Sequence, residues 1–326
     1  MSSKTKFRKH YTCYMPVSQE EITSFSSRWT NRKLYTLMFV VYTPDESSKE
    51  RPLVINDSGC EVHPEELCTN DENTSWLLLG LKQRGFGKGR WNGFGGKVQS
   101  DDANPKAAAL RELEEESGLV ITASAVEDVG RLWFTFTETT ECMEVHVFIC
   151  RKWMPKHCGD TVNWPCYTEE MHPFWFPLTT NKDSTVDTNY LPYNHMWPDD
   201  KIWLRYILQG NLLLGWFHFT QILNLSNVSN QNLTDCSTET RGLPIDPYEV
   251  PAYHLDIFTD KNEIASNGDN NSNHSNLQWI IDHLGLDKCD EKLKLWMNFP
   301  LNQVSAMPII SSMLIKTLNY PLKDNT

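Results

Sequence analysis

The chain has 326 residues, a formal net charge of −12, and 40% hydrophobic with 11% aromatic residues. That is enough for one or two domains with a substantial core. No apolar run approaches the ~18 residues that span a bilayer, and the acidic balance argues against binding a polyanion through a broad basic surface. A small anionic substrate stays compatible if a metal ion neutralises the local charge.

The opening MSSKTKFRKHYTCYM lacks an apolar signal-peptide core, so a flexible, basic extension over residues 1–33 is expected, with a mitochondrial presequence as the alternative. The nine Cys include no CxxC pair and are expected to be reduced thiols of an intracellular protein. Residues 34–42 (LYTLMFVVY) read as a strand. Residues 44–75 are polar, acid-rich and aperiodic, hence a long loop or disordered insertion. A strand resumes over 76–82, and a Gly-rich segment (85–96) leads into a helix. Residues 129–136 and 143–150 alternate as two strands around the turn TETTE. A short strand at 175–178, a helix at 199–208, and strands at 212–219 and 253–259 follow. Residues 221–251 are rich in Asn, Ser and Thr and read as a mobile loop. After residue 260 an Asn/Ser tract separates off a tail with short helical stretches. The chain divides into a main domain over 34–260, with insertions near 43–75 and 221–251, and a linker and tail over 261–326. Mixed strands with few helices predict an α+β fold.

The chemistry concentrates in residues 93–120, GFGGKVQSDDANPKAAALRELEEESGLV. Asn104 followed by Pro105 is a helix start, and Gly118 a left-handed stop. At 3.6-residue periodicity Leu110, Leu113 and Ser117 share one face, with Glu112, Glu115 and Glu116 roughly opposite. Carboxylates spaced this way repel one another. A hard divalent cation would remove that penalty and could share ligands with substrate phosphates; Arg111 could neutralise one carboxylate by a bidentate pair. On its own, ELEEE fits an acidic, solvated helix face better than a metal site.

RELEEESGL, with a Gly pair fifteen residues upstream of Arg111, resembles the Nudix box, G-x5-E-x7-R-E-U-x-E-E-x-G-U with U a bulky aliphatic residue. The second half matches in full. The first half has one residue too many, and Asp101 or Asp102 replaces its Glu, so the loop geometry departs from the family pattern. The segments LYTL, KQRGFGKGRWNGFGGKVQ, MEVHVF, FWFPL and MWPDD extend the resemblance to the branch of Nudix hydrolases that acts on oxidised purine nucleoside triphosphates.

The resemblance implies an α/β/α sandwich with a mixed sheet. It also implies Mg²⁺ (with Mn²⁺ as an alternative) held by Glu112, Glu115, Glu116, Glu170 and the Gly95 or Gly96 carbonyl, with Arg111 in support. Lys82 and Lys97 match positions near the phosphates. A base pocket would be formed by Thr36, Phe86, Asn92, Phe134, Phe136, Met143, Trp197, Asp199, Asp200 and Trp203, with Phe94 and Pro198 as further substrate-binding residues. Flat rings stack on a purine, and Asn92 offers both a donor and an acceptor. Desolvation and mutual repulsion should raise the pKa of at least one of Asp199 and Asp200, and a neutral carboxylic acid can donate as well as accept. Without the resemblance Phe134, Phe136 and Trp203 read as core, His146 as a satisfied sheet histidine, and the Asp pair as a helix cap. The implied partner is a small nucleotide, with no stable nucleic-acid binding and no membrane, in a monomer of the cytoplasm and also the nucleus or mitochondrion. Other Nudix substrates (dinucleoside polyphosphates, nucleotide sugars, capped RNA) and a non-catalytic nucleotide-binding protein are the alternatives.

Overall fold

The structure, a computed structural model, describes residues 8–14, 31–44, 52–64, 74–155, 157–158, 161–180, 186–221 and 248–258. In chain order the strands are β1 (Arg8–Tyr14), β2 (Asn31–Tyr42), β3 (Val54–Ile55), β4 (Glu61–Val62), β5 (Ser75–Lys82), β6 (Trp91–Asn92) and β7 (Glu127–Phe136). They continue with β8 (Glu141–Trp153), β9 (His157–Cys158), β10 (Thr161–Val162), β11 (Met171–Thr180), β12 (Val186–Asp187), β13 (Leu212–Gln221) and β14 (Tyr248–Phe258). The helices are α1 (Pro105–Ser117) and α2 (Asp200–Leu208). No helix among the described residues is long and apolar enough to cross a membrane.

A ten-stranded mixed sheet runs β1-β14-β13-β7-β8-β2-β5-β11-β12, with β6 added beside β5. The β13–β7 and β2–β8 pairs are parallel. Strand alternation divides the core in two. Leu37, Phe39 and Val41 of β2 face the cluster that holds Ile202, Trp203 and Ile207 of α2. Met38, Val40 and Tyr42 face the cluster that holds Ala109 and Leu113 of α1. One helix therefore lies on each face, the α/β/α layering that the sequence implies.

The capping of α1 follows from its sequence. The Asn104 side chain accepts from the Ala107 N–H at 3.0 Å. Gly118 ends the helix at φ 72° with its N–H donating to the Glu114 carbonyl. A residue bearing a Cβ is strained in that conformation.

Between β2 and β5 the sheet opens. β2 pairs only with Trp76–Leu78 of β5, and β6 takes over the same edge at Gly80 and Leu81. The chain after β6 then runs beside β2, bridging Met38 to Phe94 and Tyr35 to Lys97. This brings the Gly-rich segment against the sheet and against the second half of α1, where Glu112 and Glu116 meet it.

Three segments differ from expectation. Arg8–Tyr14, placed in a flexible extension by its basic composition, pairs with β14 in seven register positions. Part of the polar insertion is anchored: Leu53 and Val54 are buried. There Ile55 N–H donates to Pro165 O, Tyr167 N–H to Ile55 O, and Trp175 Nε1–H to Leu53 O. Four apolar residues in a polar context leave no periodic trace, so this docking is not legible from pattern. β14 begins at Tyr248, inside the stretch read as loop. The remainder of that loop and the helical stretches of the tail lie outside the described residues.

Candidate active site

The site is built where the Gly-rich segment passes between β2 and α1. Gly95 has φ 157°, and a methyl group added there would sit 2.1 Å from the Thr36 carbonyl oxygen. At Gly96 it would sit 2.6 Å from the Glu112 carboxylate. At Gly95 only glycine allows this approach, and at Gly96 a side chain would displace the Glu112 carboxylate, so the pair forms a cradle in which backbone and carboxylates meet. Thr36 N–H donates to Gly96 O at 2.8 Å, and Gly95 N–H donates to Glu116 Oε2 at 2.9 Å.

The acids of α1 divide in a way that the sequence reading missed. Glu116 was expected opposite the apolar face, yet its side chain is only 2% exposed. The buried residues of α1 are Ala108, Ala109, Leu113, Glu116 and Ser117, so the face packed on the sheet is wider than the apolar stripe and includes Glu116. Glu115 is 57% exposed. Arg111 binds Asp102 through Nε and Nη2, each at 3.0 Å, and reaches Glu112 at 2.9 Å and Glu115 at 3.0 Å. Of the two aspartates considered for the early acidic position, Asp102 therefore makes the contact. The extra residue is absorbed between Asp102 and Arg111, where the helix begins.

Lys82 was expected at the phosphates. Its Nζ donates to Glu116 Oε1 at 2.8 Å and to Glu170 Oε1 at 2.6 Å, joining α1 to the loop before β11. Burial, followed by the opposing pull of Lys82, leaves Glu116 with a pKa raised to about 7. Burial also raises Glu112, against the pull of Arg111 and with help from Glu115 and Glu170. The hydrogen bond from Lys82 lowers Glu170 and keeps it ionised.

Among the described residues no three acidic, His or Cys side chains are gathered closely enough to hold a metal ion. The donors still fit a hard divalent cation: Glu112 and Glu116 both abut the Gly95–Gly96 backbone, and their negative charge, with that of Asp102, Glu115 and Glu170, exceeds the neutralisation that Lys82 and Arg111 supply. A cation would share that role with, or take it from, those two side chains.

A raised acid pKa favours the protonated form in the folded state. Stability of the cation-free protein therefore falls as pH rises from the ordinary 4.5 through about 7. Cation binding needs the ionised form. Mg²⁺ binding at pH 6 is thus expected to release about one proton, and far less at pH 8.5. Calorimetry in buffers of different ionisation enthalpy reads this directly, and equal release at both pH values would contradict the assignment.

On the α2 side of the sheet a cavity of about 290 Å³ opens beside the Gly-rich segment. Thr36, Lys82, Phe86, Asn92, Gly95, Gly96, Phe134, Phe136, Met143, Glu170, Trp197, Asp199, Asp200 and Trp203 line it. Phe134 and Met143 are register partners across β7 and β8. Phe86 is 60% exposed and stacks on Trp197 with ring centroids 4.9 Å apart. Asn92 Oδ1 accepts from the Gly93 N–H, which leaves its NH₂ group as the side-chain donor. Asp199 and Asp200 are each 2% exposed. Asp199 Oδ2 accepts from Trp203 Nε1–H at 2.8 Å, and Asp200 Oδ2 from Trp197 N–H at 3.0 Å. Burial, then the charge of Asp199, raises Asp200 well above the usual carboxylate range.

Other candidates fall elsewhere. Phe94 is fully buried in the core under α1, because the bridge to Met38 turns it to the other face of β2. Lys97 and Pro198 are not in the cavity wall, and neither are Arg111, Glu112, Glu115 and Glu116, of which Glu112 and Glu116 meet the Gly95–Gly96 segment from α1. His146 is held by Glu144 at 3.2 Å, with its pKa lowered by burial. Sequence reasoning missed Tyr35, Leu37, Val145, Met171 and Phe219 in the wall. Strand parity with Phe39 and Met143 is the signal that could have found Tyr35, Leu37 and Val145.

A family model described as NUDIX domain matches residues 66–193. An oxidized purine nucleoside triphosphate hydrolase of Danio rerio is 40% identical over 143 residues, covering 44% of this chain and 78% of that protein. The Mus musculus protein of the same name is 41% identical over the same shares. Among solved structures, a MutT protein of Bacillus halodurans is 17% identical, covers 68% of this chain and 97% of its own, and has a TM-score of 0.38.

Proposed function

The chain belongs to the Nudix hydrolase family, and from that membership we propose that it hydrolyses oxidised purine nucleoside triphosphates to the monophosphate and pyrophosphate. The reading is carried by one juxtaposition: an aromatic cavity with two buried aspartates stands beside a Gly–Gly segment backed by the acids of α1. The first part suits a purine, the second a polyphosphate. Water adds at the β-phosphorus, the bridging oxygen leaves with the nucleoside monophosphate, and pyrophosphate carries away the water oxygen.

Glu112 and Glu116, with Glu115 and Glu170 completing the set, would hold Mg²⁺ or Mn²⁺. Bound there, such an ion supplies charge neutralisation at the phosphates and makes water more acidic. The chain's own groups do the rest. Lys82, between Glu116 and Glu170, presents an ammonium group at the cavity wall that can bind a phosphate oxygen. Glu170, ionised and facing the same space, orients the attacking water and accepts its proton. Arg111, clamped by Asp102, fixes Glu112 and Glu115. Asp199 and Asp200 read the base edge. A proton retained on one of them supplies a donor that an ionised pair lacks, so both 8-oxoguanine and 2-hydroxyadenine edges can be matched.

The test is a panel of 8-oxo-dGTP, 2-hydroxy-dATP, dGTP, dATP, a dinucleoside tetraphosphate and capped RNA, each with Mg²⁺. Highest kcat/KM on the two oxidised triphosphates, with pyrophosphate as product, is expected. Preference for the dinucleotide or capped RNA would replace the substrate assignment, and binding without pyrophosphate release would remove the catalytic one.

A further inference from the structure

We infer that Tyr248 is a positioning residue for base selection, holding the Trp197 indole at the angle the cavity needs. The inference rests on the reading of the cavity as a purine pocket. Trp197 is contacted on several sides. Phe86 stacks on it, and the Arg90 guanidinium lies 4.3 Å from its ring centroid. Phe219 meets it edge-on at 5.8 Å. Tyr248 lies 5.5 Å away at an interplanar angle of 47°, and also meets Phe136 edge-on at 5.9 Å.

These contacts differ in stiffness. Phe86 sits between Gly85 and Gly87, both with positive φ, and is largely exposed, so its loop can yield. Tyr248 stands on a strand, in register with Gln221 of β13. Phe136, which Tyr248 meets, stacks on Phe219 at 4.9 Å on paired strands. Tyr248 therefore ties a cavity ring to the paired strands of the sheet, a support that the Phe86 loop does not provide. It lies outside residues 66–193 and is not itself in the cavity wall, which is why no motif pointed to it.

An interaction of this kind should set how well a flat base is received, and leave the reacting phosphates alone. Tyr248→Leu is expected to raise KM for 8-oxo-dGTP, and Kd for 8-oxo-dGMP by calorimetry, about tenfold. Its kcat should stay within about twofold of wild type, while Tyr248→Phe, which keeps the ring, restores both constants. A purely structural role would lower thermal stability and kcat without this split. If Tyr248→Leu does not fold, Tyr248→His carries the same test with a rise of about threefold. Unchanged KM and Kd in a folded variant, beside an active wild type, would overturn the role of Tyr248 alone. A wild type that neither turns over nor binds oxidised purine nucleotides would overturn the pocket reading with it.

Discussion

Glu116→Gln is expected to lower kcat on the preferred triphosphate by at least about a hundredfold, because the substitution deletes charge at the more deeply buried of the two acids against the Gly–Gly cradle. The carboxamide keeps the size of the side chain and can still accept from the Gly95 N–H. It cannot neutralise a cation, and its NH₂ group is a poor neighbour for the Lys82 ammonium 2.8 Å from Oε1. Since burial holds Glu116 near pH 7 before any cation binds, the neutral amide resembles the protonated acid. The cation-free variant should therefore melt close to wild type at pH 6. Loss of turnover without loss of stability separates a metal-holding role from a packing role. A fall in kcat of less than about tenfold would place the chemistry on other carboxylates.

The second large effect is on selectivity. Asp199→Ala is expected to reduce the ratio of kcat/KM for 8-oxo-dGTP over dGTP by about tenfold or more. The variant loses a buried group proposed to read the base and leaves Trp203 Nε1–H without its 2.8 Å acceptor. Asp200→Asn should differ. Asp200 is held well above the usual carboxylate range by burial and by Asp199, and a carboxamide reproduces a neutral acid that accepts from Trp197 N–H and donates elsewhere. Activity within about threefold of wild type is expected for it. An unchanged selectivity ratio in Asp199→Ala would remove the aspartate pair from base recognition.

Much of this was legible in the sequence where local rules and tertiary placement agree. Asn104–Pro105 and Gly118 bound α1 because capping is a local effect. LYTLMFVVY is a central strand because its β-branched and aromatic residues fill both faces of the sheet. Illegible features were those that depend on which face packs. Glu116 is buried because the packed face of α1 is wider than the stripe of Leu110, Leu113 and Ser117 and extends over Ala108 and Ala109 to Glu116. Phe94 departs from the cavity because a single bridge to Met38 sets its direction. Lys82 is engaged by two carboxylates that lie 34 and 88 residues away in sequence, a pairing no spacing rule contains. Tyr248 reaches Trp197 only through the β13–β14 register.

The claim on which the rest depends is that the acids of α1 hold a divalent cation against the phosphates of the substrate. Mn²⁺ electron paramagnetic resonance with a slowly hydrolysed purine triphosphate analogue, together with broadening of its ³¹P signals, tests it directly. Wild type is expected to bind the ion with selective broadening at the phosphates, and Glu116→Gln to lose most of both. Equal Mn²⁺ affinity and equal phosphate broadening in the two proteins would contradict it.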